Sequence, residues 1–375
     1  MTHHTTQQEL TQHWAMDEAA AHKLTPQLSR LEQAIISTAT EMITPTMAET
    51  RDINRKRITS VFGGAGSMAV LGMCSMDHEA KLDELFEFLG EVQQEHPDTV
   101  VATRINGSKP RSGKGWRGQA FDLDGNTRQA LIDTNIQALA AGLPVITEIT
   151  DAPQLGMLAP FLSAMWLGAR DMDSTALRHA AHLIKLPTGI KNGMTGSCKN
   201  VNDAIETIRS NSAQNDNSGV NVGSIASSAH LRGVATGVLP VASGNPNVAI
   251  FARGYELPAW VNATERRRAA IEHLSMMCVL AADQDCAVLI DGTHSVAPMF
   301  DIERKDPDRF LFVLDEIHQA ISKGEVRNAE RIRGVIGEVG MISGRTDPNF
   351  IVDARGKRLL KNILKRTLEL IDENA

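Results

Sequence analysis

The sequence has few of the residues that mark several protein classes. Its four cysteines in 375 residues include no CxxC pair, which disfavours a zinc ribbon and a disulfide scaffold. Aromatic residues make up only 4% of the chain, so aliphatic side chains must form most of the core. No apolar run reaches the ~18 residues of a membrane helix. A net charge of -7 disfavours a broad nucleic-acid surface.

The chain is nevertheless rich enough in apolar residues to fold. They make up 42% of the sequence, against 22% charged residues, which is the balance of a globular protein with a sizeable core. The first residues lack the basic start and apolar run of a secretory signal. We therefore expect a cytoplasmic protein that binds neither nucleic acid nor membrane.

The chain divides into two parts by pattern. Residues 1–60 are polar with apolar residues at helical spacing, and we expect a helical extension outside the main domain, which residues 61–375 form. In the second part, strand-length apolar runs alternate with helical segments. The predicted strands are 68–73, 99–104, 145–149, 166–170, 188–191, 248–253, 287–291 and 333–336. This alternation predicts a parallel (β/α)8 barrel, with a doubly wound open sheet as the alternative.

Charged or metal-binding residue types occur at the ends of nearly all predicted strands. A barrel gathers its strand ends in one mouth, whereas an open sheet spreads them along an edge, so this pattern favours the barrel. The residues are Cys74, Arg104, Glu148, Arg170, Lys191, Arg253, His294 and Glu338.

The densest basic segment is TRINGSKPRSGKGWRG, residues 103–118. Taken alone, it is also typical of a solvated basic loop. Further cations at other strand ends, Arg170, Lys191 and Arg253, favour a different interpretation. Because Arg and Lys bind phosphate and carboxylate oxygens, their convergence predicts a small polyanionic ligand.

A second set of residues could bind a metal. Cys74, His294, Glu338 and Asp353 each follow a short apolar run, and thiolate, imidazole and carboxylates together suit Mn, Fe, Co or Zn. Cys74 on its own is more typical of a small core residue. The segment FGGAGSMAV, residues 62–70, is similar to a dinucleotide fingerprint. It precedes a strand instead of following one, which disfavours an NAD-dependent oxidoreductase.

From about residue 45 onward, the chain resembles the type I 3-deoxy-arabino-heptulosonate 7-phosphate (DAHP) synthases. These enzymes catalyse the first step of the shikimate pathway, which leads to the aromatic amino acids. The segments that carry the resemblance are GMCS, KPRSGKGWRG, GLPVITEITDAPQ, LGARDMDST, GIKNGMTG, SGNPNVAIFARG and LIDGTHS.

The resemblance implies a role for each matching residue. The implied metal ligands are Cys74, His294, Glu338 and Asp353. The residues implied to hold phosphoenolpyruvate are Arg104, Lys109, Arg117, Arg170, Lys191 and Arg253, with Glu148 and Ala169 in the segments that line its phosphate. Arg111 and Ser112 match the pair that holds the phosphate of the aldose. Lys109 is the candidate proton donor to the aldehyde oxygen.

The implied activity is a metal-dependent, aldol-type condensation of phosphoenolpyruvate with erythrose 4-phosphate, carried out by a homo-oligomer. Ser112 and Gly113 replace two threonines of the family pattern, and residues 293–296 lack its usual asparagine. These departures leave open a paralogue that uses a different aldehyde in specialised metabolism. A non-catalytic barrel that binds phosphorylated ligands is less favoured, because the implied metal ligands are all present.

Overall fold

Strands and helices alternate along the computed structural model, which describes residues 41–73, 82–106, 126–150, 154–155, 158–210, 247–255, 257–258, 260–294, 308–339 and 353–374. The strands are β1 Ser67–Gly72, β2 Thr99–Arg104, β3 Val145–Ile149, β4 Ala164–Leu167, β5 Thr188–Lys191, β6 Val248–Ala252, β7 Ala287–Asp291 and β8 Ile332–Glu338. The α-helices are α1 Pro45–Phe62, α2 Leu82–Glu95, α3 Asn126–Ala140, α4 Thr175–Ile184, α5 Cys198–Ser210, α6 Ala263–Asp283, α7 Asp308–Ser322 and α8 Ala354–Asp372. A short 3-10 helix, Ala329–Arg331, precedes β8.

The eight strands close into one parallel barrel. Their order around the barrel follows the chain from β1 to β8, and β8 pairs with β1. The predicted (β/α)8 barrel is therefore confirmed, and the open-sheet alternative is wrong. Among the described residues, no helix is both long enough and apolar enough to span a membrane.

Side chains alternate between the two faces of each strand, as in any β-barrel. The inward-facing side chains form a separate apolar cluster, which includes Val70, Ala102, Ile146, Trp166, Phe251, Leu289 and Ile336. The outward-facing side chains pack against the surrounding helices in a larger core. The barrel interior is thus filled up to the level of these residues, and a site can form only above it.

Helix α1 closes the N-terminal end of the barrel. Its residues Ile58, Val61 and Phe62 belong to the inner cluster, and the ring of Phe62 meets that of Phe251 edge-on at 6.1 Å between centroids. Earlier in the helix, Arg51 Nη1 donates to the carbonyl of Pro160 at 2.7 Å. The predicted boundary at residue 60 thus falls inside a helix that packs against the barrel.

Most predicted strands lie where the structure has them, and β4 differs most. It begins at Ala164, two residues before the predicted start at 166, and it ends at Leu167. Gly168 begins a turn in which its carbonyl accepts hydrogen bonds from the N–H groups of Asp171 and Met172. The residues Gly168, Ala169 and Arg170 therefore belong to the turn that follows the strand.

Candidate active site at the C-terminal end of the barrel

Six of the eight inward-facing positions at the C-terminal end of the barrel are charged. Each lies two residues beyond an inward-facing position of the layer below, so the period of two brings all of them into one ring. The ring consists of Gly72, Arg104, Glu148, Gly168, Lys191, Arg253, Asp291 and Glu338. A Cβ atom at Gly168 would lie 2.0 Å from Glu148 Oε1. The glycine therefore makes room for the carboxylate of the neighbouring strand.

Arg104 and Glu338 form a buried ion pair across the end of β1. Gly72 pairs with both residues in the sheet, which places the two side chains on either side of it. The distance between Arg104 Nη2 and Glu338 Oε1 is 3.4 Å, and both side chains are 0% exposed. Within the described part of the chain, none of the three guanidinium nitrogens of Arg104 has a hydrogen-bond partner. The guanidinium is thus charged and buried with donors to spare.

Lys191 and His294 share the carboxylate of Asp291. Lys191 Nζ lies 2.7 Å and His294 Nδ1 lies 2.9 Å from Asp291 Oδ2, while Oδ1 accepts from the N–H groups of Thr293 and His294. Burial alone would raise the pKa of Asp291, but the adjacent His294 and Lys191 lower it well below its usual value. Asp291 is therefore ionised, and an ionised carboxylate only accepts, so Nδ1 carries the hydrogen in this contact.

This contact leaves His294 Nε2 facing Glu338. Nε2 lies 3.6 Å from Glu338 Oε1, a separation close to that of two ligands that each lie about 2.1 Å from one metal. A histidine whose other ring nitrogen donates to a carboxylate is the usual arrangement at metal centres. The donor types and their separation therefore fit a divalent transition metal.

Of the other two implied metal ligands, Asp353 belongs to the described residues. The carboxylate of Asp353 is exposed and accepts from the N–H of Gly356, so it caps the first turn of α8. Cys74 lies outside the described residues. Across the described ranges, no three His, Cys, Asp or Glu side chains form a group that could hold a metal ion. His294 and Glu338 are thus the two implied ligands that the structure brings together.

Two buried asparagines hold the neighbouring strand ends together. Asn106 Nδ2 donates to Glu148 Oε2 at 3.2 Å, and the Glu148 N–H donates to Asn106 Oδ1 at 3.1 Å. Asn192 Nδ2 donates to the carbonyl of Gly254 at 2.7 Å, and its Oδ1 accepts from the Arg253 N–H at 2.7 Å. These bonds fix the backbone where Glu148 and Arg253 enter the ring.

The remaining residues implied to bind phosphoenolpyruvate differ in burial, and some of them lie outside the described ranges. Lys191 and Arg253 are buried in the ring, where Arg253 Nη1 also contacts Met194 Sδ. Ala169 is half-buried and Arg170 is exposed in the turn after β4. The implied residues that lie outside the described ranges are Cys74, Lys109, Arg111, Ser112 and Arg117.

Three residues that organise this site were not predicted from the sequence: Asp291, Asn106 and Asn192. Asp291 ends a predicted strand and stands two residues after Leu289, so the period of two could have placed it in the mouth. The asparagines follow strand ends as well, but their partners lie 42 to 62 residues away in the chain. No local pattern in the sequence signals such contacts.

A (β/α)8 barrel with buried cations and carboxylates at the C-terminal ends of its strands has the architecture of an enzyme that acts on small anionic molecules. The profile of the DAHP synthetase I family matches residues 46–347. This match covers most of the chain, which therefore belongs to that family.

Individual relatives agree with this assignment. The Trp-sensitive phospho-2-dehydro-3-deoxyheptonate aldolase of Enterobacter agglomerans is 32% identical over 181 residues, which are 44% of this chain and 51%, about half, of that relative. The enzyme of the same name from Salmonella typhi is 25% identical over 303 residues, or 76% of each chain. The solved phospho-2-dehydro-3-deoxyheptonate aldolase of Francisella tularensis SCHU S4 has a TM-score of 0.65 at 20% identity and covers 90% of this chain and 97% of its own.

Proposed function

We propose that this chain catalyses a metal-dependent, aldol-type condensation of phosphoenolpyruvate with an aldose phosphate, by default erythrose 4-phosphate. The products are 3-deoxy-7-phosphoheptulonate and inorganic phosphate. The observation that carries the proposal is the buried guanidinium of Arg104, whose nitrogens have no hydrogen-bond partner among the described residues. A buried cation with spare donors is suited to a carboxylate or phosphate group, which accepts bidentate hydrogen bonds.

The other cations of the ring extend this anion site. Lys191 and Arg253 stand on β5 and directly after β6, so they enter the mouth from the side of the barrel away from β1. Phosphoenolpyruvate carries both a carboxylate and a phosphate, and cations that enter from separate strands can hold the two groups apart. Arg170 in the turn after β4, together with Lys109 and Arg117, completes the proposed set of ligands.

His294 and Glu338 are the proposed centre of the metal site, with Cys74 and Asp353 as its further ligands. Asp291 fixes the ring of His294 through Nδ1, so that Nε2 points toward Glu338. When bound, a divalent ion such as Mn, Fe, Co or Zn would act as a Lewis acid on the aldehyde carbonyl.

The protein groups support the rest of the proposed chemistry. The new bond joins C3 of phosphoenolpyruvate to the aldehyde carbon, and Lys109 gives a proton to the aldehyde oxygen. The carboxylates of the ring stabilise the positive charge that develops at C2, and water adds there. The C–O bond between C2 and the phosphate then breaks as the added oxygen becomes the C2 carbonyl. Of the two protons of that water, one restores Lys109 and the other leaves with the inorganic phosphate, which the cations of the ring stabilise.

Phosphate release is the direct test of this proposal. We expect the purified chain to release phosphate from phosphoenolpyruvate only when Mn²⁺ and erythrose 4-phosphate are both present, and a chelator should abolish the release. Turnover with another aldehyde from a panel, but none with erythrose 4-phosphate, would indicate a paralogue with a different substrate. Binding of phosphoenolpyruvate without release for any aldehyde would indicate a non-catalytic barrel and contradict the proposal.

Arg104→Lys tests the anion site itself. Lysine keeps the charge but loses the planar fork, so we expect kcat/KM for phosphoenolpyruvate to fall by about 100-fold. The matched control is Arg331→Lys, because Arg331 pairs with the exposed Asp285 near the N-terminal end of the barrel. The control should retain the wild-type kcat/KM. Equal values for both variants would exclude Arg104 from the site.

A further inference from the structure

Trp166 lies directly beneath the active-site ring. It is the inward-facing residue of β4 one layer below Gly168, and its side chain is fully buried. The guanidinium carbon of Arg104 lies over its indole ring, 5.1 Å from the ring centroid. Trp166 thus contacts the cation on which the proposed binding of phosphoenolpyruvate depends.

The contact matters because the described residues give the guanidinium of Arg104 few other contacts. Its side chain is 0% exposed, and its ion pair with Glu338 spans 3.4 Å. A cation within about 6 Å of an aromatic centroid is attracted to the ring face, most strongly by tryptophan and when water is excluded. Both conditions hold here, so the indole face compensates part of the hydration that the guanidinium loses.

The choice of an indole at this position supports the same conclusion. Trp166 Nε1 is buried and has no hydrogen-bond partner among the residues that the structure describes. Burying an unsatisfied donor is unfavourable. A phenyl or aliphatic side chain would fill the barrel interior without such a donor. A simple packing role therefore does not account for tryptophan, whereas a cation–π contact does.

A second aromatic ring of the same layer packs against the indole. The ring of Phe251 lies 6.2 Å from that of Trp166, and Phe62 of α1 in turn contacts Phe251. Gly189 pairs with Trp166 in the sheet, and a Cβ atom there would lie 2.4 Å from the Phe251 ring. The aromatic column of Phe62, Phe251 and Trp166 thus runs through the barrel interior and ends at Arg104.

We propose that Trp166 is a positioning residue that sets the affinity for phosphoenolpyruvate by holding the guanidinium of Arg104 over its indole face. This inference rests on the proposed function, because it takes Arg104 as a ligand of phosphoenolpyruvate. Trp166 acts on the substrate only through Arg104.

Calorimetric binding and steady-state kinetics of Trp166→Leu test the inference. We expect the Kd and KM for phosphoenolpyruvate to rise about tenfold, which corresponds to about 1.4 kcal/mol, while kcat changes less than about threefold. Trp166→Phe keeps an aromatic face and should rescue most of the affinity, with a rise of about threefold. The KM for the aldehyde should stay unchanged in both variants.

Phe88→Leu is the matched control. Phe88 is fully buried in the outer core, and its ring also carries a cation, with Lys357 Nζ 5.4 Å from the ring centroid. We expect it to lower the melting temperature as much as Trp166→Leu does, while the Kd for phosphoenolpyruvate stays within twofold of the wild type.

The outcomes separate the two proposals. Equal rises of Kd in Trp166→Leu and Phe88→Leu, or wild-type affinity in Trp166→Leu, would overturn the positioning role while leaving the proposed function intact. A wild-type chain that binds no phosphoenolpyruvate in the calorimeter would overturn both. If Trp166→Leu does not fold, Trp166→Phe is compared with Phe88→Leu. A threefold rise of Kd in Trp166→Phe with no rise in Phe88→Leu supports the role, and equal Kd values contradict it.

Discussion

Individual residues at the mouth of the barrel depend on charges that come from distant parts of the chain. Asp291 is the clearest example, because one of its oxygens contacts both Lys191 and His294. Its carboxylate is fully buried, and burying a charge is favourable only when it is paired and hydrogen-bonded. Asp291 therefore links the proposed anion site to the proposed metal site.

Replacing Asp291 by asparagine should weaken both the proposed anion site and the proposed metal site. The amide keeps the size of the side chain but no longer balances Lys191 or orients His294 as a carboxylate does. We expect the Kd for Mn²⁺, measured by calorimetry, to rise about 10- to 100-fold, as for other residues that orient metal ligands. The free energy of unfolding should fall by about 3 kcal/mol or more, because the buried lysine loses its counter-ion.

Asp285→Asn is the control for this variant. Asp285 is 85% exposed and pairs with Arg331 near the opposite end of the barrel, so its loss should change neither metal affinity nor turnover. An unchanged Mn²⁺ affinity in Asp291→Asn would contradict the role that we give to Asp291.

At the scale of secondary-structure elements, hydrophobic patterning was enough to predict the barrel. Strands such as Thr99–Arg104 and Ala287–Asp291 are apolar runs that end in a charged residue, so both of their ends are visible in the sequence. The end of β4 was predicted wrongly because Gly168 and Ala169 continue the apolar run although they form a turn. The predicted strand ends alone were enough to place three residues in the mouth: Glu148, Lys191 and Arg253.

Helix α1 shows where sequence patterning was insufficient. The polar composition of residues 1–60, which include Arg51 and Arg55, favoured an extension outside the barrel. In the structure both are buried, and they donate to carbonyls of residues 159–162, more than 100 residues further along the chain. Arginine that binds backbone carbonyls cannot be distinguished from surface arginine by its spacing.

Two isoleucines of α1 test whether this helix is part of the folded barrel. Ile58 is 0% exposed in the inner cluster, whereas Ile53 is 51% exposed on the same helix. We expect Ile58→Ala to lower the free energy of unfolding by about 2–5 kcal/mol. Ile53→Ala should change it by no more than about 0.5 kcal/mol. Equal effects in urea unfolding would show that α1 does not stabilise the barrel.

At the scale of the whole molecule, the residues that stabilise the barrel and the residues of the proposed site lie at different levels along the barrel axis. The N-terminal end is closed by α1 and the interior is apolar, while the C-terminal end concentrates three cations and three carboxylates in one ring. The Francisella structure shares this fold at only 20% identity. Many sequences can therefore fill the barrel, and the residues at the strand ends determine what it binds.

Ligand binding should consequently stabilise the entire chain. A ligand that binds only the folded state adds about 2.7 kcal/mol to the free energy of unfolding at a concentration of 100 times its Kd. We expect phosphoenolpyruvate to raise the urea midpoint accordingly, and inorganic phosphate or pyruvate at the same concentration to raise it much less. Inorganic phosphate lacks the carboxylate of phosphoenolpyruvate and pyruvate lacks its phosphate, so each engages only some of the cations at the mouth. A shift with phosphate alone as large as that with phosphoenolpyruvate would mean that the ring binds a single anionic group.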